Sequence, residues 1–554
     1  MTLTRSAVAT AADGTSTALL NCLVREVCGP ERQLWHRDGR LVMRLPRVGV
    51  LLRAGLARPP HGPTFRLVPP FEEHRDGAWI AADWTRLASL IAGELELSTG
   101  RANPEFTAQV EGSYRALEAI IAARPERPAD PDADHAGHAD PADQASHADP
   151  ADRSHDDTFI ESEQSLVFGH RFHPSPKARQ GAPDEWIRYA PEARTSFRPH
   201  WLAVPDTLLV EEGDPGAFAA LEPFAAPPGH RLLPAHPWQL ALLQDDPLLR
   251  RAVADGLVRD LGPGPADAFP TSSVRTAYLP DADAFLKFSL DVRITNCVRK
   301  NAWYELTGAV ELDRMLRPVF EALGATLLAE PAYRSLALAD RRLFEGFGVL
   351  VRQGVRGLRG RPLLAAALAA PDGLADLPAV HADPLAWWDA YVSHVAPPVL
   401  RAFLEHGVVL EPHLQNVLVC VDDGGMPVQA AFRDLEGTKL VAGRWALGHL
   451  PARVREAVTY DAHRGWDRVV YCLLINHLTE VAAALADLRP DLEPELWRAA
   501  RPYFAGDHPR LRALLAGVPV PAKANLRTRW SRSADRAAGY VQVANPLRVE
   551  QLTS

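Results

Sequence analysis

Glu411, His413 and Asn416 fall within six residues of one another, directly ahead of an apolar run, NVLVCV. A turn, DDGGMP, follows, and a second run ends in Arg433, Asp434, Leu435, Glu436 and Gly437. A hairpin of that pattern brings its two open ends together, so Asn416 should converge with Asp434 and Glu436. Alternation along the strand sends both carboxylates to one face and Leu435 to the other. Two carboxylates and an amide oxygen are hard donors suited to a Mg2+ ion that carries phosphates, and His413 beside them could hydrogen-bond a phosphate or a bound carboxylate. The plainer reading, a solvated strand end, leaves the shared face unexplained.

A second constellation occupies 271–301, TSSVRTAYLPDADAFLKFSLDVRITNCVRKN. Ser273 and Arg275, two apart, are expected to share a strand face; Lys287 returns after a Pro-Asp-Ala-Asp turn, and Arg293, Thr295, Asn296 and Arg299 follow. Cations and hydroxyls set among Leu, Phe, Val and Ile would make a partly dry pocket for a polyphosphate, with guanidinium forks neutralising charge as pyrophosphate departs. Lys287, between Leu286 and Phe288, is the residue that a purely structural strand accommodates least. A third cluster, FGHRFHPSPKARQG at 168–181, contains His170, His173, Lys177 and Arg179. Pro174 and Pro176 forbid a helix, so the two histidines cannot share a helical face as a zinc protease requires. A rigid basic loop that receives an anionic carboxylate is expected instead.

The elements that must hold these residues differ along the chain. Residues 17–28 and 83–97 carry apolar side chains at three- and four-residue intervals and read as helices, with strand-like LVMRL and GVLL between them, so residues 1–124 form a mixed α/β unit. Residues 125–157 are rich in Pro, Asp and His, nearly lack large apolar side chains and read as a flexible insert. From 158 to 380 short apolar runs such as RTAYLP, AFLKFSLDVRI and GAVEL, broken by Pro, Asp and Gly, point to antiparallel sheet. Residues 381–554 are mostly helical, interrupted by the hairpin that carries the acidic pair.

At 554 residues two or three domains are expected, and a formal charge of -9 supplies no global reason to bind nucleic acid or an anionic membrane. Five scattered cysteines without a CxxC pair argue against a disulfide framework or structural zinc site. The first residues lack the apolar stretch of a signal peptide and no later run reads as a spanning helix, so a cytoplasmic protein is expected. There is no GxxxxGK[ST] loop, no GxGxxG after a strand and no GxSxG elbow.

Taken in order, GHRFHPSPK, LPAHPWQ, PTSSVRT, LKFSLDVRITNCVRKN, EPHLQNVLV and FRDLEG resemble the IucA/IucC family of siderophore synthetases that work without a peptide-synthetase template. The likeness spans roughly residues 160–545 and includes AKANLRTR and ANPL. It implies an α+β, hand-like, multidomain fold: an N-terminal thumb, β-rich fingers and a mostly helical palm with a distantly kinase-like ATP site. It implies ATP contacts at Ser273, Arg275, Lys287, Thr295, Asn296, Arg299, His413 and Asn416, and Mg2+ ligands at Asp434 and Glu436. Arg299 and His413 would also meet the carboxylate substrate. The implied reaction adenylates a carboxylate (citrate, a citrate derivative or a succinyl-hydroxamate) and condenses it with an amine or hydroxyl, releasing AMP and pyrophosphate, in a homodimer. Arg171, Phe172 and Ala182 depart from the family's first basic loop, which leaves the substrate open, and the His-rich insert is foreign to it. Two rivals remain. A small-molecule kinase fits EPHLQNVLV followed by RDLEG, but lacks a Gly-rich phosphate cover. A ferric-siderophore binding or reductase protein fits the helical C-terminal region, but lacks clustered cysteines.

Overall fold

Thr10 caps the first helix, Ala11–Leu23, which leads into a wide π-turn, Val24–Cys28, and then a five-stranded antiparallel meander, Leu34–Arg37, Arg40–Leu45, Val50–Leu56, Leu67–Arg75 and Ala78–Ala81. Helices Trp84–Thr99 and Glu105–Ala123 close this unit. Its core of Leu19, Leu23, Met43, Leu52 and Ile91 also takes in Leu526 and Trp530 from the far end of the chain. The computed structural model describes residues 10–60, 62–125, 155–294, 297–533 and 538–548. Most of the expected His-rich insert lies outside the described residues.

The next layer is a six-stranded antiparallel sheet in the order Phe269–Pro270, Thr276–Leu279, Ala284–Phe288, Val349–Gln353, Ala332–Leu336, Leu209–Gly213. Ala284–Phe288 is buried along its whole length, because both faces are covered. A smaller sheet, His230–Ala235, His200–Pro205 and Arg259–Pro263, packs beside it.

The hairpin Val417–Val421 and Pro427–Phe432 forms as its sequence predicts, with Val417 opposite Phe432. It sits inside a four-stranded sheet whose outer strands, Thr326–Leu327 and Arg361–Leu364, come from earlier in the chain. Helix Trp303–Leu323 packs into the same apolar core as Pro384–His406. Residue 380 therefore does not separate two packing units: apolar continuity, rather than composition along the chain, decides which segments share a core.

Three local expectations change. GAVEL is not a strand but part of helix Trp303–Leu323, where Leu306, Ala309, Leu312, Leu316 and Phe320 repeat at helical spacing and are buried. The strand begins only at Thr276; Ser273 and Arg275 lie in the preceding tight turn, where Val274 adopts a left-handed φ of 70°. The segment Ala462–Leu488 is long and apolar enough to cross a membrane, yet its apolar window is wholly buried inside the fold.

Candidate functional site

Lys287 stands near the end of the central strand, opposite Thr276 on one neighbour and Leu350 on the other. Its side chain is only 2% exposed, and its ammonium is held by Asp434 Oδ1 and, at 2.8 Å, by Glu436 Oε2. Arg275, also buried, donates to Glu436 Oε2 at 2.6 Å, to Asn301 Oδ1 at 2.5 Å and to the Arg299 carbonyl at 3.3 Å. The cationic strand and the acidic hairpin end, far apart in sequence, meet at one place.

The backbone beyond Phe432 explains how. Arg433 N donates to the Asn416 carbonyl at 3.0 Å, and Asp434 then takes a left-handed φ of 77°. Aspartate is among the few non-glycine residues that tolerate this region. The turn buries Leu435, whose N–H donates to Glu330 Oε2 at 3.2 Å, and swings Asp434 and Glu436 toward the sheet. Glu330 in turn accepts from Arg352 at 2.9 and 2.5 Å, and Arg352 reaches Asp434 Oδ1 at 3.4 Å. Asn301 ties the site to the strand, donating to the Lys287 and Gly348 carbonyls at 3.2 and 3.0 Å.

The charges define each other. Burial alone would push Glu436 up, but Arg275 and then Lys287 hold it down to about 2. Lys287, followed by Arg352, holds Asp434 well below the usual carboxylate range against its own burial. Lys287 and Arg275 are raised, the carboxylates outweighing burial in both cases. Glu305, on the first turn of Trp303–Leu323, is pushed up to about 7 by burial and by Glu436. The side chains of Asp434 and Glu436 keep 30% and 25% of their exposure while Lys287 keeps 2%, so the carboxylates face the opening and the ammonium backs them. Both carboxylates are ionised, hard-oxygen donors, which fits Mg2+. Among the described residues no group of three His, Cys, Asp or Glu side chains is assembled as a metal cage.

Asn416 is buried at the start of the hairpin. His413 lies on the turn before it, its Nδ1 accepting from Gln415 N at 3.3 Å. Burial holds the His413 imidazole below its ordinary value; Glu411 and Asp434 pull the other way, Arg468 and Lys523 add to the fall. His413 thus sits between the acidic junction and a second group, in which neutral imidazoles lie among the cations Arg25 and Lys523. That group includes His170, whose Nε2 lies 2.8 Å from Asn476 Nδ2. His170 is exposed. The packed surroundings, with His173, Arg25, Lys523 and His413, hold it down to about 3. His173 is buried, and its Nδ1 accepts from Ser175 N at 3.1 Å. Arg299 is half-buried, its backbone locked by bonds to Leu290 and Val292. Ser273 shapes the turn, its Oγ accepting from Thr276 N at 3.2 Å. Thr295 and Asn296 lie outside the described residues.

Lys177 is a correction. Its ammonium turns inward, donating to the Leu166 carbonyl at 2.6 Å and to Glu192 Oε1 at 2.5 Å, where Arg179 also binds. Glu192 ties both cations of the loop down from within, so Lys177 holds the loop in place instead of facing a ligand. Arg352, Glu330, Asn301 and Glu305 went unmarked in the sequence. Only Arg352 carried a signal there, a lone charge in the buried run VLVRQ.

Residues 158–370 match the family model described as "IucA / IucC family", and residues 385–538 match "Ferric iron reductase FhuF-like transporter". The chain is similar to the rhizobactin siderophore biosynthesis protein RhbC of Rhizobium meliloti, 30% identical over 451 residues, covering 70% of this chain and 75% of that protein. It is similar to the spermidine-citrate ligase of Bacillus anthracis, 30% identical over 70% of this chain and 73% of the relative. With the L-2,3-diaminopropanoate–citrate ligase of Staphylococcus aureus identity is 28%, over 62% of this chain and just 65% of the relative's length. In three dimensions it superposes on ATP-bound aerobactin synthetase IucA of Klebsiella pneumoniae with a TM-score of 0.81 at 23% identity, across 97% of this chain and 100% of that one.

Proposed function

The chain belongs to the IucA/IucC family, and we propose on that footing that it is an ATP-dependent synthetase that couples a citrate-type or succinyl-hydroxamate carboxylate to an amine or hydroxyl in siderophore assembly. The observation that carries the reading is the junction of Lys287, Arg275 and Arg352 with Asp434 and Glu436. Three buried cations and two partly exposed carboxylates at the mouth of a sheet are more charge than stability asks for, since buried ion pairs seldom add net stability. They suit a ligand that brings both phosphates and a metal ion.

In this reading the substrate carboxylate displaces pyrophosphate from the α-phosphate of ATP to give an acyl adenylate, and the amine then displaces AMP. Arg275, Lys287 and Arg299 take the phosphate charge, so that they oppose its build-up without reorganising. Asp434 and Glu436, with Asn416 beside them, would hold Mg2+, which when bound neutralises phosphate oxygens. Ser273, Thr295, Asn296 and His413 complete the nucleotide contacts. His413 and Arg299 would steer the carboxylate, with His170 and His173 behind them. Little covalent help is required, so catalysis rests on positioning and charge. A homodimer in the cytoplasm is the assembly that goes with this reading.

Substrate-dependent release of AMP and pyrophosphate, measured across citrate, succinyl-hydroxamate and 2-oxoglutarate acids with an amine panel, tests it. ADP as product would replace it with a phosphotransferase. The FhuF-like match at 385–538 favours a second reading, a protein that handles a ferric siderophore. Against it, burial pushes the thiols of Cys420 and Cys472 in that region up to about 12, far from the thiolate a metal requires.

A further inference from the structure

Arg25, one of the cations beside His170, takes part in no hydrogen bond described above. It lies in the π-turn Val24–Cys28, all five of whose residues are buried. Such turns widen a helix by one residue and recur at functional sites. The next residue, Glu26, is fully employed: its two carboxylate oxygens accept from Leu526 N and Arg527 N, both at 2.9 Å. Arg25 is not. Its side chain is 4% exposed, yet among the described residues none of its three guanidinium nitrogens has a hydrogen-bond partner. It stacks on Phe172, 3.0 Å from the ring centroid. Glu480, whose charge acts on Arg25, pairs with Arg66 and Arg171 and makes no hydrogen bond to it. An arginine cannot shed its proton to relieve this, and buried N–H donors left without an acceptor are unfavourable.

The Phe172 ring stands between this charge and the exposed His170. Phe172 packs edge-on to His170, ring centroids 6.4 Å apart, and His170 is the exposed residue of the group that reaches His413. We propose that Arg25, from the N-terminal unit, is the residue that receives a second carboxylate of the acid substrate: the carboxylate enters past His170, shifts the Phe172 ring from the guanidinium and takes the paired hydrogen bonds that no neighbour supplies. This rests on the synthetase reading and adds that the acid must be polycarboxylic. A planar guanidinium fork matches a carboxylate in a way a lysine does not.

Calorimetric titration with citrate, run beside the AMP assay, separates the two ideas. Wild-type protein should bind citrate, and a citrate ester lacking one carboxylate should bind at least about tenfold more weakly. Arg25→Gln should abolish that difference, Arg25→Lys should recover it only in part, and the KM for ATP should stay unchanged in both. Phe172→Leu, which removes the competing ring without touching the charge, should tighten citrate binding. Should Arg25→Gln fail to fold, Arg25→Lys and Phe172→Leu carry the test. Equal citrate affinity in wild type and both Arg25 variants, or no citrate binding by wild type, overturns the proposal while AMP formation leaves the synthetase reading standing. Citrate binding that depends on Arg25 without any AMP formed would uphold the subsite and refute the synthetase.

Discussion

Replacing Lys287 with methionine keeps the volume of the stem and removes the ammonium that backs Asp434 and Glu436. Both carboxylates retain a cation, Arg352 at 3.4 Å from Asp434 and Arg275 at 2.6 Å from Glu436, and both keep some contact with solvent. The loss of stability should therefore fall below the ~3–5 kcal/mol typical of an orphaned buried pair, at about 1–3 kcal/mol. Activity should suffer more. A preorganised donor aimed at developing charge is worth roughly 10²–10³ in rate, about 3–4 kcal/mol, and the fall should appear in kcat more than in the KM of the acid. Pairing Lys287→Met with Asp434→Asn removes charge from both sides, so the double variant should regain part of the thermal stability while staying inactive, a departure from additivity that two touching groups require. Thermal unfolding and AMP release measured on all three variants and the wild type decide the matter. Turnover in Lys287→Met within about threefold of wild type would falsify the placement of phosphate charge at this lysine.

Asp434→Asn alone tolerates the left-handed backbone but weakens a hard-oxygen donor, so the Mg2+ concentration for half-maximal AMP formation should rise by about tenfold or more. Lys177→Met should lower the melting temperature, by the equivalent of about 2 kcal/mol because Arg179 remains on Glu192, and leave the KM of the acid unchanged; a raised KM would restore the loop's ligand role. Stability should also depend on acid pH through buried histidines. His477, held between Tyr391 and the Pro412 carbonyl, is lowered from 6.5 to about 4 by burial, and His236 to about 3. The unfolded chain binds their protons first, so this contribution is whole above pH 6.5 and shrinks as pH falls toward 4, by about 3 kcal/mol for His477. Melting curves between pH 7.5 and 4.5 should trace that decline, and His477→Gln should flatten its slope; an unchanged slope in the variant would place the cause elsewhere.

The hairpin was legible because its signals are local: an apolar run, a Gly-rich reversal and polar residues at both open ends. Lys287 was legible by contrast, a cation between Leu286 and Phe288. What escaped depended on partners distant in sequence. Glu330 and Arg352 matter through strand register in the centre of a sheet, which no short pattern specifies. Lys177 turned inward because Glu192, in a turn that carries no charge motif, lies under its loop. GAVEL read as strand from its β-branched content, whereas the burial of every third or fourth residue across Trp303–Leu323 made it helix. Arg25 had no signal of its own, since a basic residue in an amphipathic helix is ordinarily on the wet side.

The seating of Leu526 and Trp530 in the N-terminal core, with Glu26 holding the backbone of Leu526 and Arg527, also bears on how the protein is made. At ribosomal speeds of about 5–20 residues per second, Glu26 waits on the order of half a minute or more for those partners to emerge. Until then the first unit has an uncapped acid and an open apolar seat. Its maturation waits on synthesis past Trp530, and a nascent chain stalled before Asn525 would present that seat to chaperones.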